Sequence, residues 1–318
     1  MKVLVTGASG FVGQGLLDDL QARGQFTLRA ALRQPGIAWR PSGSRVDSVV
    51  VGELSTDTDW DPALAGIDTV VHLAARVHVM RDRLADPLAA FHAVNVQASV
   101  QLARSAARAG VRRLVYLSTA KVHGESTLAG ESFSENSPTQ PGDPYSISKL
   151  EAEHALRQTL DKTATELVVL RPPLVYGPGV GANFGTLIRA IRRGIPLPLA
   201  AIDNQRSLVG LGNLTDAIIL CLTHPAAAGQ TYLLSDQHDL STPRLIRLLA
   251  AAMERPDRLW SLPPAVLYRA AAWLGRASVA QRLCDNLCLD ARQISRELGW
   301  KPRYSVVESI QRSVEAKP

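Results

Sequence analysis

Cysteine is scarce: Cys221, Cys284 and Cys288 are the only three in 318 residues. An odd number in no metal-ligand or redox spacing leaves no disulfide framework, no metal site is expected, and a reducing compartment fits best. No run of about 20 uncharged apolar residues occurs, which excludes a conventional membrane-spanning helix. The best candidate, Leu262 to Leu274, is too short and carries Arg269. Also missing at the start are a charged leader, an apolar signal core and a cleavage site, because the chain opens directly on Lys2-Val3-Leu4-Val5. A cytoplasmic protein is the expectation. A further absence is local: no acid stands between Asp19 and Asp47, an interval that holds Arg23, Arg29, Arg33, Arg40 and Arg45.

What is present describes a globular protein. At 46% hydrophobic and 20% charged residues, with both signs interspersed, the chain can bury a substantial core. Its length exceeds the usual domain of about 100–200 residues, so a large α/β domain with a smaller lobe is expected. The net charge of +6 and pI of about 9.5 would suit nucleic acid. The arginines are scattered, however, without an aromatic-basic stripe or reader motif, so nucleic acid is not expected. A polyanionic small ligand accounts for the excess equally well.

Short apolar runs at 3–6, 27–32, 48–51, 69–73, 114–117 and 167–170 alternate with helical patterns at 12–21, 91–108 and 145–160. Such alternation predicts a doubly wound parallel Rossmann sheet with helices on both faces. After Arg171-Pro172-Pro173 the rhythm breaks into Pro and Gly punctuation. The expected division is a dinucleotide-binding domain over 1–171 and a smaller, discontinuous C-terminal substrate lobe over 172–318. Within the latter, a segment of about 205–235, with helix 215–222 and strand 230–234, returns to the first domain. Ligands of open parallel sheets bind beyond the carboxyl ends of the strands.

After the first strand comes Thr6-Gly7-Ala8-Ser9-Gly10-Phe11-Val12-Gly13, and a helix follows. Glycines there permit a sharp turn and bring a pyrophosphate onto the N–H groups of the helix N-terminus. Gly7, Ser9, Gly10, Phe11, Val12 and Gly13 are therefore cofactor-binding candidates. An acid about 20 residues further on would grip the ribose 2′-hydroxyl of NAD, and an arginine the 2′-phosphate of NADP. Arg33 falls at that offset, and a guanidinium fork suits phosphate. NADP(H) is favoured, with NAD(H) as the alternative. Glu53 and Leu54, after the third strand, would border the adenine.

Tyr145 and Lys149 are four residues apart on one face of a helix opened by Pro144. An ammonium beside a phenol favours the phenolate and lowers its pKa from about 10, so that tyrosine can exchange a proton with a substrate oxygen. Ser118 and Thr119, at a strand end upstream, offer hydroxyls to orient that oxygen.

Taken together, TGASGFVG at 6–13, HLAA at 72–75, Asn95 in AVNV, STAKVHG at 118–124, YSISK at 145–149, LRPPLVYGPG at 170–179 and LGWKP at 298–302 resemble the extended short-chain dehydrogenase/reductases that act on nucleotide sugars. The likeness spans essentially the whole chain. It implies Tyr145 as general acid/base, Lys149 as its partner and ribose ligand, and Thr119 as the catalytic hydroxyl beside Ser118. It also implies Leu73, Ala74, Ala75, Asn95 and Pro172 at the cofactor, and His78, Lys121, Asn183, Leu197, Leu199 and Arg206 at the sugar nucleotide, with Arg206 as diphosphate clamp. His123, where the family commonly has Tyr, reads as a packing substitution. Within the family the phrases STAKVHGE, ARVHVMRD and PLPLAAIDNQRSLVGLGNLTDA look most like bacterial O-antigen-cluster reductases of a UDP-2-acetamido-2,6-dideoxy-4-hexulose. The expected partner is a UDP-sugar, and two helices beside the sheet would pair in a homodimer. Two alternatives stand beside this: a UDP-hexose 4-epimerase using the same Tyr and Lys, and a non-catalytic nucleotide-binding regulator.

Overall fold

The computed structural model describes residues 1–35, 46–77 and 86–315. Seven parallel strands form the main sheet: β1 (Lys2–Thr6), β2 (Thr27–Leu32), β3 (Val46–Val50), β4 (Thr69–His72), β5 (Arg113–Leu117), β6 (Glu166–Arg171) and, much later in the chain, Thr231–Leu233. Their order is β3-β2-β1-β4-β5-β6 with the 231–233 strand outermost beside β6. The order reverses between β1 and β4, and this switch point opens the crevice in which such sheets take their ligands.

Burial on both faces explains why β1, β4, β5 and β6 read as nearly unbroken apolar runs; β3, at the sheet edge, is largely exposed. In β1, Val3 and Val5 join one core and Leu4 the other, as the period-two pleat requires. The first core packs the sheet under α1 (Phe11–Arg23) through Leu16, Leu17 and Leu20. The second packs it under α4 (Ala98–Arg108) and α5 (Pro144–Leu160) through Leu102, Ala106, Ala152 and Leu156. Between them in the chain lie the short α2 (Asp61–Leu64) and α3 (Pro87–His92). The helix expected over 91–108 is not uniform: a π-helical turn, Ala93–Gln97, joins α3 to α4. Such a turn swings an extra residue toward the helix interior side and is frequent at functional sites; here it carries Asn95.

Beyond β6, β7 (Leu174–Tyr176) pairs in parallel with β8 (Leu208–Gly210) in a separate two-stranded sheet, with α6 (Ala182–Arg192) between them. Then α7 (Leu211–Thr223) packs against α1, its Leu214, Ala217 and Ile218 entering the first core. The outermost strand of the main sheet, Thr231–Leu233, is β9. The remaining helices are α8 (Thr242–Ala252), α9 (Pro264–Trp273), α10 (Ala277–Cys284), α11 (Arg292–Leu298) and α12 (Val306–Glu315). A third core, including Tyr176, Ile188, Leu199, Ile246 and Ile310, holds this lobe together.

Candidate active site

The turn after β1 is built by close approach. Gly7 has φ +67°, and a Cβ there would lie 2.7 Å from the amide nitrogen of Ala74; at Gly13 a Cβ would lie 2.2 Å from the Gly7 carbonyl oxygen. Both contacts are with backbone, which cannot swing aside. Gly13→Ala is therefore expected to lower stability by at least about 1–3 kcal/mol, read as a fall in thermal midpoint; an unchanged midpoint would mean that the loop can open without cost.

The loop leaves its helix end free to receive an anion. Gly10 caps α1 without a side-chain hydrogen bond, and no acid occupies the first turn, so its leading N–H groups and the positive end of the helix dipole are available. This fits a dinucleotide pyrophosphate. Below the loop, Thr6 Oγ1 accepts the Ala74 N–H (3.2 Å) and gives its own proton to His72 Nδ1 (2.7 Å). His72 Nε2 donates to Ser99 Oγ (2.8 Å), which donates to the Asn95 carbonyl (2.7 Å). Burial first, and the Lys149 charge second, push His72 down to about 3, so the ring is neutral and this chain of bonds keeps one direction.

A cleft of 740 Å³ opens above the strand ends. Its walls include Gly7, Ser9, Gly10, Phe11, Val12, Gly13, Arg33, Glu53, Leu54, Leu73, Ala74, Ala75 and Pro172, together with Ser118, Thr119, Tyr145 and Lys149. Val94, Pro173 and Val175, from the AVNV and LRPPLVYGPG motifs, and Arg76 and Val77, just before His78, also line it, as does Trp60, which no motif announced. Trp60 is almost fully buried, and its Nε1 has no hydrogen-bond partner among the described residues.

Tyr145 and Lys149 are placed by a strong helix start. Asp143 caps α5, accepting the Ser146 N–H (2.7 Å) while Ser146 Oγ accepts the Asp143 N–H (3.2 Å), a reciprocal capping box. Lys121 Nζ binds Asp143 Oδ2 (2.5 Å) and Glu125 Oε1 (2.7 Å). Burial would raise the Asp143 carboxyl, but the bonds from Lys121 and Ser146 outweigh it and hold the group well below the usual range.

The state of the tyrosine differs from that expected from the spacing. Burial, then the Asp143 charge, pushes the Tyr145 phenol up to about 12. Lys149 Nζ sits 4.1 Å from the centroid of the Tyr116 ring, and burial, partly opposed by Glu153, brings its ammonium down to about 7. The phenol keeps its proton here because desolvation of a phenolate exceeds any help from a partly desolvated ammonium.

The two hydroxyls after β5 part ways. Thr119, 8% exposed, stays at the cleft and its Oγ1 accepts the Lys121 N–H (3.3 Å). Ser118 instead donates to Glu153 Oε1 (2.5 Å). The fully buried Glu153 is clamped by Arg171, Nε to Oε1 (3.0 Å) and Nη2 to Oε2 (2.5 Å). Arg171 Nη1 donates to His123 Nε2 (2.9 Å), whose Nδ1–H donates to the Ser137 carbonyl (3.1 Å). Burial and the Arg171 charge lower the His123 pKa, so it is a neutral packing and relay group rather than a second acid.

Comparison with known proteins agrees with this geometry. The model of the NAD dependent epimerase/dehydratase family matches residues 3–235. The chain belongs to this family. It is 39% identical to a UDP-glucose 4-epimerase of Vibrio cholerae, over 99% of this chain and 95% of that protein. It is 30% identical to the N-acetyl-α-D-glucosaminyl-diphospho-ditrans,octacis-undecaprenol 4-epimerase of Escherichia coli O157:H7, over 82% and 75%. Among solved structures, UDP-glucuronic acid 4-epimerase from Bacillus cereus, in complex with UDP-glucuronic acid and NAD, superposes with TM-score 0.79 over 99% of this chain and 98% of that one, at 21% identity. The chain is an enzyme of the epimerase/dehydratase family, with the α/β fold of its relatives.

Several residues expected from the family likeness lie elsewhere. Asn95 does not line the cleft: its amide is spent on the Arg76 backbone (2.8 and 3.0 Å) and on Ser148 Oγ (2.9 Å). It braces the segment after β4 against the helix of Tyr145. Lys121 is likewise paired, with Asp143 and Glu125, and braces the start of the helix of Tyr145. Leu199 is buried in the third core, and Leu197 pairs with the strand-like run 258–260; neither lines the cleft. Asn183 stands exposed on the first turn of α6. Arg206 lies away from the cleft walls, its Nη1 donating to the Asp285 carbonyl (2.8 Å); burial lowers its pKa, Asp285 opposes that, and Arg282 adds a like charge. The Nε of Arg282 is buried without a partner among the described residues, a feature that one more arginine in an arginine-rich sequence did not announce. His78 falls outside the described residues.

Proposed function

We propose that this enzyme reduces the C4 keto group of a UDP-2-acetamido-2,6-dideoxy-4-hexulose with NADPH, giving UDP-N-acetylquinovosamine or UDP-N-acetylfucosamine for O-antigen or polysaccharide biosynthesis. The observation that carries the reading is Arg33. It follows β2 in the cleft wall with its side chain 63% exposed and Nη1 3.5 Å from Glu53, in an interval without any acid to grip a ribose 2′-hydroxyl. The guanidinium there is held by one exposed ion pair with Glu53, weak enough to exchange for a 2′-phosphate, and an exchanging NADPH serves a reductase rather than an enzyme that retains its cofactor.

In this reading Gly7 to Gly13 hold the pyrophosphate, Arg33 the 2′-phosphate, Lys149 the ribose, and Leu73, Ala74, Ala75 and Pro172 the walls of the cofactor site. Bound NADPH supplies the hydride. Thr119 donates a hydrogen bond to the C4 oxygen, and Tyr145 delivers its proton to that oxygen as charge develops on it. Burial favours the protonated phenol, the form that donates to a developing alkoxide. A diphosphate that runs past the cleft walls would meet Arg206.

A second reading, UDP-hexose 4-epimerase, has a specific observation in its favour: the Vibrio cholerae relative of that name matches along nearly the whole chain. Cofactor selectivity separates the two. Arg33→Ala is expected to weaken NADPH binding by about 1.5–3 kcal/mol, the scale of hydrogen bonds to charged groups, and to leave NADH nearly unchanged in a fluorescence titration. Equal loss for both cofactors, or a wild type that prefers NADH, would sink the 2′-phosphate assignment.

A further inference from the structure

One surface takes no part in the site described above. The helix α9 has no buried residue; behind it Leu267 touches the third core, while Leu283 and Cys284 of α10 do the same. Gly275, at φ +66°, reverses the chain between the two helices. At this tip Trp273 is 87% exposed and Leu274 61%, and Val266 and Val279 on the two helices are exposed as well. Leaving a tryptophan and a leucine side by side in water forfeits the burial that their area would otherwise gain.

Charge identifies what would cover them. From Pro264 to Cys284 the two helices carry Arg269, Arg276 and Arg282 and no acid; Arg282 is turned inward, its Nε buried, and Asp285, just past α10, is taken up by Tyr268. Arg269 lies one helical turn before Trp273, Arg276 lies three residues after it, and both are exposed. A short apolar ridge tipped by Trp and Leu and flanked by arginines matches the boundary of an anionic bilayer, where the indole and leucine enter the acyl edge and the guanidinium groups meet phosphate headgroups. A protein partner of ordinary mixed charge has no such need for two exposed cations beside the apolar tip with no anion on the same two helices. No helix among the described residues is long and apolar enough to cross a membrane, so the contact would be peripheral.

We propose that the α9–α10 hairpin docks the enzyme on an anionic lipid surface through Trp273 and Leu274, with Arg269 and Arg276 at the headgroups. The test is flotation of the full-length protein with phosphatidylglycerol or phosphatidylcholine vesicles at low and high salt, alongside its sedimentation in free solution. Wild type is expected to float with phosphatidylglycerol at low salt, to be released by high salt and to ignore phosphatidylcholine. Arg269→Gln/Arg276→Gln should reduce partitioning about twenty- to thirtyfold, at roughly fivefold per cation. Trp273→Ser/Leu274→Ser should abolish stable flotation. These side chains are exposed, so thermal midpoints of both variants should match wild type. Absence of wild-type flotation on phosphatidylglycerol at low salt would overturn the proposal, as would flotation undiminished in both variants. So would an oligomer that Trp273→Ser/Leu274→Ser splits while vesicle binding persists, since the face would then join two copies of the chain.

Discussion

Tyr145→Phe is expected to lower turnover of the 4-keto sugar nucleotide by about 100- to 10,000-fold, the range of a positioned general acid, while cofactor affinity and folding stay near wild type. The substitution removes one oxygen from a ring whose surroundings include an edge contact with Phe91 at 6.3 Å between centroids, a contact that phenylalanine retains. Thr119→Val tests the companion hydroxyl. Ser118 offers no ready substitute, because its proton is given to Glu153, so the loss should be visible in kcat. Near-normal turnover in folded Tyr145→Phe would remove the phenol from the mechanism.

The second large effect lies behind the site. Arg171→Leu is expected to cost about 3–5 kcal/mol of stability, because it strands a buried carboxylate. Burial favours the protonated form of Glu153, but the two bonds and the charge of Arg171 hold it ionised. Removing the guanidinium leaves that carboxylate to protonate or to draw in water, and frees His123 Nε2 and Ser118 Oγ from a fixed geometry. Urea denaturation measures the cost. The double variant Arg171→Leu/Glu153→Leu should recover much of it, since two apolar groups leave no unpaired charge; a loss as large as in the single variant would place the cost in packing instead of the ion pair.

How much could be read without the structure follows from the range of the interactions involved. Most of the first six strands of the main sheet are legible because parallel strands buried on both faces are continuous apolar runs; the exposed edge strand β3 shows only the short Val49-Val50-Val51 run. The loop at 6–13 was legible because its glycines answer to local geometry. Tyr145 and Lys149 are fixed by the helical repeat, and all four features reach the cleft. By contrast β7 and β8 have three residues each, too few for a pattern, and the π-helical turn at Asn95 leaves no period of its own. The family likeness points Asn95 and Lys121 at the ligands, whereas their bonds to Ser148 and Asp143, 53 and 22 residues away, have no local sequence signal. Glu153, four residues after Lys149, has the spacing of an ordinary helix-surface pair; only the fold brings Arg171 to it. The proton state of Tyr145 depends on desolvation, which sequence spacing does not report.

The reductase reading meets its most direct test in one assay: purified enzyme, UDP-2-acetamido-2,6-dideoxy-4-hexulose and NADPH, with absorbance and NMR of the product followed together, and parallel tubes of UDP-N-acetylglucosamine and UDP-glucose without added cofactor. Expected is one NADPH oxidised per 4-keto sugar reduced, and no 4-epimerisation in the parallel tubes. Rapid unaided 4-epimerisation there, with no NADPH consumed on the 4-keto sugar, would contradict the reductase assignment and make the enzyme an epimerase.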